Sequence, residues 1–303
     1  MMIKDVVEKA REEKTVIPAF NIPYLPMVKP VIQAIIDEDS VAMIQVARLE
    51  WEKFQSHSLE AVAEEYAKYK KTNVTFLHLD HVPVIDEENK WVDVLPIIER
   101  ALKAGYQSVM VDGSRLPFQE NIKATKEVTQ MAHKRGVSVE AELGSVVGHE
   151  EGGIGMSYEE LFRSKKGFTD VDEARIFVKE TGCDWLSVAV GSVHGAIAEN
   201  TRKEKKPEAL LDIAHIEALG RATGKLPLVL HGGSGIKQQY ILDGIKSGIA
   251  KINIATEIRQ AYEFALDERP GDIDVAREQV YVRTRWVLGE FLKVSGNHTK
   301  IFG

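Results

Sequence analysis

Three histidines stand at the ends of apolar, β-branched runs: His81 in Leu-His-Leu-Asp-His, His194 in Gly-Ser-Val-His-Gly and His231 in His-Gly-Gly-Ser-Gly. Three imidazoles brought to one point from separate strand ends suit Zn2+, with a further position open to water or substrate. Asp80, immediately before His81, has the chemistry of a fourth ligand, an orienter or a general acid/base. Side chains alternate along a strand, so His78 and Asp80 are expected on one face and His81 on the other. His78 lies deeper and reads as support or packing. His57, His133, His215 and His298 fall on helical stretches or the tail and read as solvated, and His149 falls in a long Gly-rich loop.

A second signal concerns phosphate. Gly232, Gly233 and Ser234 follow the seventh run and open a helix, where small residues let backbone N–H groups approach an anion. Asn253, Ile254, Ala255 and Thr256 close the eighth run and add donors. Metal and phosphate in one mouth imply a phosphorylated substrate with a polarisable carbonyl, a Lewis acid on its oxygen and a carboxylate to move the proton. No lysine lies near the end of the sixth run, and Lys251 starts the eighth, away from the mouth. Schiff-base chemistry is therefore disfavoured.

These residues need a scaffold that gathers strand ends. The β-type runs are Val16–Asn21, Val41–Ala47, Val74–His81, Ser108–Gly113, Ser138–Gly144, Trp185–Gly191, Leu226–Gly232 and Ala250–Thr256. Amphipathic stretches of helical length separate them, including Leu25–Glu38, Ser58–Tyr69, Val92–Ala104, Gln119–Lys134 and Val171–Thr181. Leu210–Ala222 and Gln238–Ser247 continue the series, and glycines 105, 136, 182, 224 and 248 sit where left-handed helix caps belong. Strict alternation predicts a parallel sheet, and eight units fit a closed (β/α)8 TIM barrel whose active site lies at the C-terminal strand ends. Asn21 and Asp112 end the first and fourth runs and are expected to support the ligands from that rim. No GxGxxG follows the first run, which argues against an open dinucleotide-binding sheet. Asp272–Ser295 reads as an additional C-terminal helix, residues 1–303 as a single domain, and Val147–Thr169 as a functional loop.

Composition sets the outer bounds. The 303 residues are 44% hydrophobic and 28% charged, with a formal net charge of -7 and no concentrated basic face, which argues against nucleic acid. No apolar run approaches a bilayer span, and no signal core opens the chain. Cys183 is the sole cysteine, so no disulfide or thiolate cluster forms within the chain. A soluble cytoplasmic protein is expected.

The motifs "IPAFN", "LHLDH", "VMVDGSRLPFQENIKATKEV", "VSVEAELG", "VAVGSVHG", "LVLHGGSG" and "KINIATE" occur in this order almost end to end. In this the chain resembles the class II, metal-dependent ketose-bisphosphate aldolases, the fructose- and tagatose-bisphosphate aldolase family. The resemblance implies zinc on His81, His194 and His231, Asp80 as the acid at the aldehyde oxygen, Glu150 as the carboxylate moving the C3 proton, and Glu142 as a supporting acid. It implies that Gly195, Gly232, Gly233, Ser234 and Asn253 to Thr256 hold a dihydroxyacetone phosphate half. A monovalent cation (Na+ or K+) and a homodimer or homotetramer also follow from it. The chain departs from the family where Ala47 replaces a common serine, at Ala196-Ile197-Ala198, at Val147-Gly148-His149-Glu150 and at Val82-Pro83. Arg48, Arg283 and Arg285 are candidates for a second phosphate. The rival readings are an aldolase of another ketose 1-phosphate, a metal-dependent barrel hydrolase and a non-catalytic sugar-phosphate-binding barrel.

Overall fold

Each β-branched run becomes a parallel strand, and the strands close into a barrel in the order β1 to β8. The computed structural model describes residues 1–144, 158–192, 209–233 and 235–303. The first strands are β1 (Ile17–Asn21), β2 (Ala42–Val46), β3 (Thr75–Leu79) and β4 (Ser108–Val111). The ring continues with β5 (Ser138–Leu143), β6 (Trp185–Val188), β7 (Leu228–Leu230) and β8 (Ile249–Ile254), which pairs back onto β1. Both faces of every strand are buried, as the near-continuous apolar runs require.

Helices α1 (Ile3–Glu12), α2 (Val28–Asp37), α3 (Arg48–Lys53), α4 (Leu59–Tyr69), α5 (Val94–Ala104) and α6 (Phe118–His133) accompany the first five strands. Then come α7 (Tyr158–Ser164), α8 (Val171–Thr181), α9 (Ile213–Ala222), α10 (Gln238–Ser247) and α11 (Thr256–Glu268). The C-terminal addition is longer than the single helix expected over 272–295. It comprises α12 (Ile273–Trp286), a π-helical turn at Val287–Phe291 and α13 (Asn297–Phe302). Two short helices were not expected: α3, and α7 within the stretch read as irregular loop. Helical periodicity needs two or more turns to show, and neither has that length. The cap glycines behave as expected: Gly105 and Gly182 sit at φ 86° and 68° directly after α5 and α8.

The bottom of the barrel is closed by apolar side chains. Ile17, Met43, Phe76, Trp185 and Val229 pack against Ile3, Val6, Val7 and Ala10 of α1, with Ile301 of α13 completing the plug. Above this layer the interior turns polar. The β7–β8 register shifts around Ala250, and on its other side β8 pairs Lys251 with Ile17 and Asn253 with Ala19, so both face inward. Truncating the plug with Phe76→Ala should lower the free energy of unfolding by about 3–5 kcal/mol, the usual cost of a large aromatic cavity, as measured by chemical denaturation.

Candidate active site

The deepest polar group is Lys251, fully buried, with its Nζ 2.9 Å from Glu140 Oε2 and 2.6 Å from Asn253 Oδ1. Burial pushes the Glu140 carboxyl up, but Lys251 opposes this and, with the hydrogen bond from His231, holds it ionised well below the usual range. Glu140 Oε2 also accepts from Trp185 Nε1 at 2.7 Å, and its Oε1 lies 2.8 Å from His231 Nε2. An ionised carboxylate only accepts, so Nε2 of His231 carries the proton. Its Nδ1 then faces Glu142 Oε2, 3.4 Å away.

His81 reaches the same point from the opposite side. Its Nε2 is 3.3 Å from Asp112 Oδ2 and 3.8 Å from Glu142 Oε2, and its ring centroid is 5.9 Å from that of His231. Ligand atoms of His81, Glu142 and His231 all lie within 4.8 Å of one another. The expectation that His81 faces away from Asp80 is therefore corrected. β3 ends at Leu79, and His81 takes φ 83°, a left-handed conformation that breaks the alternation and turns the imidazole back into the mouth.

Asp80 is held by two amides. Asn21 Nδ2 donates to Oδ2 at 2.8 Å and Asn253 Nδ2 donates to Oδ1 at 2.9 Å. Burial pushes this carboxyl up, but Lys251, with His231 next, outweighs it and leaves Asp80 below its ordinary value. Glu142 is the contrary case. Burial, then the neighbouring Asp112 and Glu140, raise it well above the carboxylate range. Asn121 Nδ2 donates to the Glu142 carbonyl at 3.0 Å and fixes the end of β5.

Other residues singled out by the sequence fall as follows. His78 is fully buried below Asp80, with Nδ1 2.8 Å from Ser108 Oγ, and burial pushes it down to about 3, so it is a neutral support. Gly232 adopts φ 69°, and a Cβ on Gly233 would meet Ile252 Cγ1 at 2.7 Å, so this turn accepts no side chain. Ile254 directs its side chain into the apolar layer between barrel and helices, which leaves only its backbone for the mouth. Ala255 caps α11 and Thr256 is its first residue. His194, Gly195, Ser234, Glu150 and His149 lie outside the described residues. Arg48 pairs with Glu52 at 2.9 Å and Asp86 at 3.5 Å, Arg283 with Glu257, and Arg285 with Glu38 at 2.6 Å. His133 is exposed, as read, and also bonds Asp184, while the half-buried His215 reaches the Thr169 carbonyl, each at 2.8 Å.

The sequence reading gave no site role to Lys251 or Glu50, and none to Glu140 beyond its place at the end of the fifth run. Period-2 parity was the available signal, since Lys251 shares a face with Asn253, and Glu140 with Glu142. Glu50 is buried on α3, accepting from the Ala47 amide at 2.8 Å and from Asn21 Nδ2 at 3.4 Å. Burial pushes it up to about 8, and the neighbouring Asp80 reinforces the shift.

A parallel eight-stranded barrel with imidazoles and carboxylates gathered at its C-terminal mouth defines an α/β-barrel enzyme with a candidate metal centre. The family model for class II fructose-bisphosphate aldolase matches residues 1–294, and the chain belongs to that family, whose members are lyases and generally metal-dependent. It is 38% identical over 265 residues to the 6-phospho-5-dehydro-2-deoxy-D-gluconate aldolase of Bacillus subtilis, covering 86% of this chain and 81% of the relative. It is 36% identical over 210 residues to a fructose-bisphosphate aldolase of Streptococcus pneumoniae, covering 68% of this chain and 62% of that protein. Among solved structures, the YdjI aldolase of Escherichia coli K12 superposes with a TM-score of 0.76 at 29% identity, over 98% of each chain. A fructose-bisphosphate aldolase from Campylobacter jejuni shares the fold, with a TM-score of 0.72 at 19% identity over 97% of this chain and 95% of that one.

Two measurements test this geometry. Glu140→Gln removes the charge that orients His231 and balances Lys251, and should weaken divalent-metal affinity by roughly 10–100-fold in a calorimetric titration. Glu50 ionises near 4.5 in an unfolded chain but near 8 when folded, so its contribution to stability is full below 4.5 and is lost as pH rises through 8. Glu50→Gln should flatten the fall in denaturation midpoint across that window.

Proposed function

We propose that this chain is a zinc-dependent aldolase that reversibly cleaves a phosphorylated ketose, of the fructose- or tagatose-bisphosphate type, to dihydroxyacetone phosphate and an aldehyde. One observation carries the reading: His231 Nδ1 and His81 Nε2 converge on Glu142 while Asp80, clamped by two amides, sits at the same mouth. The donor set fits a divalent cation, because the buried carboxyls of Asp80, Asp112, Glu140 and Glu142 surround this point and, among the described residues, Lys251 is the one buried ammonium beside them. In the proposal His81, His194 and His231 are the ligands, with Asn21, Asp112 and Glu142 supporting them. A bound Zn2+ would supply Lewis-acid polarisation of the ketone oxygen.

The remaining steps belong to the chain. Asp80, ionised at rest, takes the proton from the C4 hydroxyl as the C3–C4 bond breaks, and returns it to the aldehyde oxygen in condensation. Glu150 is the proposed carrier of the C3 proton. The backbone around Gly195, Gly232, Gly233 and Ser234, with Asn253 to Thr256, is the proposed cradle for the phosphate of the triose half. Its support is the tight turn at Gly232 and Gly233 beside β8, at the strand ends where such barrels habitually bind phosphate. A monovalent cation (Na+ or K+) beside that phosphate, a cytoplasmic location and a homodimer or homotetramer complete the proposal. Among the described residues no helix is long and apolar enough to cross a membrane.

Chelation should abolish cleavage across a panel of ketose phosphates, and added Zn2+ should restore it. His231→Ala should lose bound metal and activity together. Asp80→Asn should retain the metal yet lose about 10²–10⁴-fold in kcat, the usual contribution of a positioned acid/base. Cleavage that persists in metal-free protein would overturn the scheme.

A further inference from the structure

The segments following β1 and β2, backed by Arg259 and Glu263 of α11, build a wall beside Asp80. Glu50 hangs from this wall, tied to Ala47 and to the same Asn21 amide that holds Asp80. Behind it, Arg259 and Glu263 sit one turn apart on α11 and pair at 2.6 Å, both with less than a tenth of their side chains exposed. Tyr24 donates its hydroxyl to Glu263 at 2.6 Å and stacks on Tyr262 at 4.8 Å, while the Arg259 guanidinium lies 5.5 Å from the Phe54 ring centre. Further out, Arg48 is engaged by Glu52 and Asp86.

A terminal phosphate on the aldehyde half would bring a dianion onto this wall, and a dianion needs a guanidinium or ammonium that it does not have to share. Here Arg259 and Arg48 are each committed to carboxylates, and Glu52, Asp86 and Glu263 outnumber them. Pulling Arg259 toward a phosphate would strand the buried Glu263 carboxylate. Glu50 keeps its proton near neutral pH, since burial pushes it up to about 8, and so presents an O–H suited to a neutral hydroxyl group. Among the described residues the wall is thus nearly electroneutral, hydrogen-bonding and rimmed by aromatic rings.

We infer that the aldehyde half binds as an uncharged hydroxyaldehyde, with no phosphate at its far end. This rests on the aldolase reading but exchanges the bisphosphate for its ketose 1-phosphate rival: the substrate would carry its phosphate on the triose half alone.

The experiment is condensation with dihydroxyacetone phosphate by the zinc-loaded protein, comparing glyceraldehyde with glyceraldehyde 3-phosphate. The expected result is a kcat/KM about tenfold or more higher for the uncharged aldehyde. Glu263→Gln releases Arg259 and should narrow that ratio by raising kcat/KM for the phosphorylated aldehyde. An equal or greater kcat/KM for glyceraldehyde 3-phosphate in the unaltered protein would overturn the inference while leaving the aldolase intact. Condensation of neither aldehyde, with no ketose phosphate cleaved, would remove the aldolase reading and the inference together.

Discussion

The ion pair between Lys251 and Glu140 is the constraint on which the mouth of this barrel depends. Taking each ion out of water costs several kcal/mol, which only close pairing and full hydrogen bonding offset. Close pairing holds here, and its effects propagate in two directions. Through Glu140 the charge fixes the Nε2 proton of His231 and turns Nδ1 outward. Through Asn253 it fixes an amide: Oδ1 accepts from Lys251, so Nδ2 must point the other way, at Asp80. One ammonium thus orients an imidazole nitrogen and a carboxylate that belong to different strands.

The second constraint is backbone strain at a single residue. A regular strand would place Asp80 and His81 on opposite faces, which would bury one of them among the outer helices. Left-handed residues other than glycine cost of order 1–3 kcal/mol, and they persist where surrounding structure holds them. At His81 that hold is visible, since its carbonyl accepts from the Arg48 amide at 3.2 Å and its ring is engaged by Asp112. The strain brings an imidazole and a carboxylate, adjacent in sequence, into one mouth.

These two features mark how far the sequence could be read. Alternating β and α patterns with cap glycines determine the barrel, because local propensity and the closed topology agree at every unit. The strand-end polar residues were legible for the same reason, since a barrel exposes those ends to one mouth. What was not legible depends on the ring closing in a particular register. Lys251 looks like the polar start of a strand until the bulge at Ala250 and the pairing with β1 set it in the interior opposite Glu140. Likewise Glu50 sits on a helix of under two turns, too short to show a periodic face, and only folding reveals that it shares Asn21 with Asp80. His81 shows the converse limit: strand parity, applied without the turn, assigns it to the wrong side.

The apolar plug gives this polar network its strength. Coulomb interactions grow as water is excluded, and the layer formed by Phe76, Trp185, Met43 and α1 keeps water from entering beneath Lys251. Trp185 belongs to both regions, packing with the plug and donating its indole N–H to Glu140. A smaller apolar residue there would fill less of the floor and also leave Glu140 short of a donor. Core packing and site electrostatics therefore meet in one side chain. In this barrel the stability of the bottom and the chemistry of the top are separate in position but joined through Glu140.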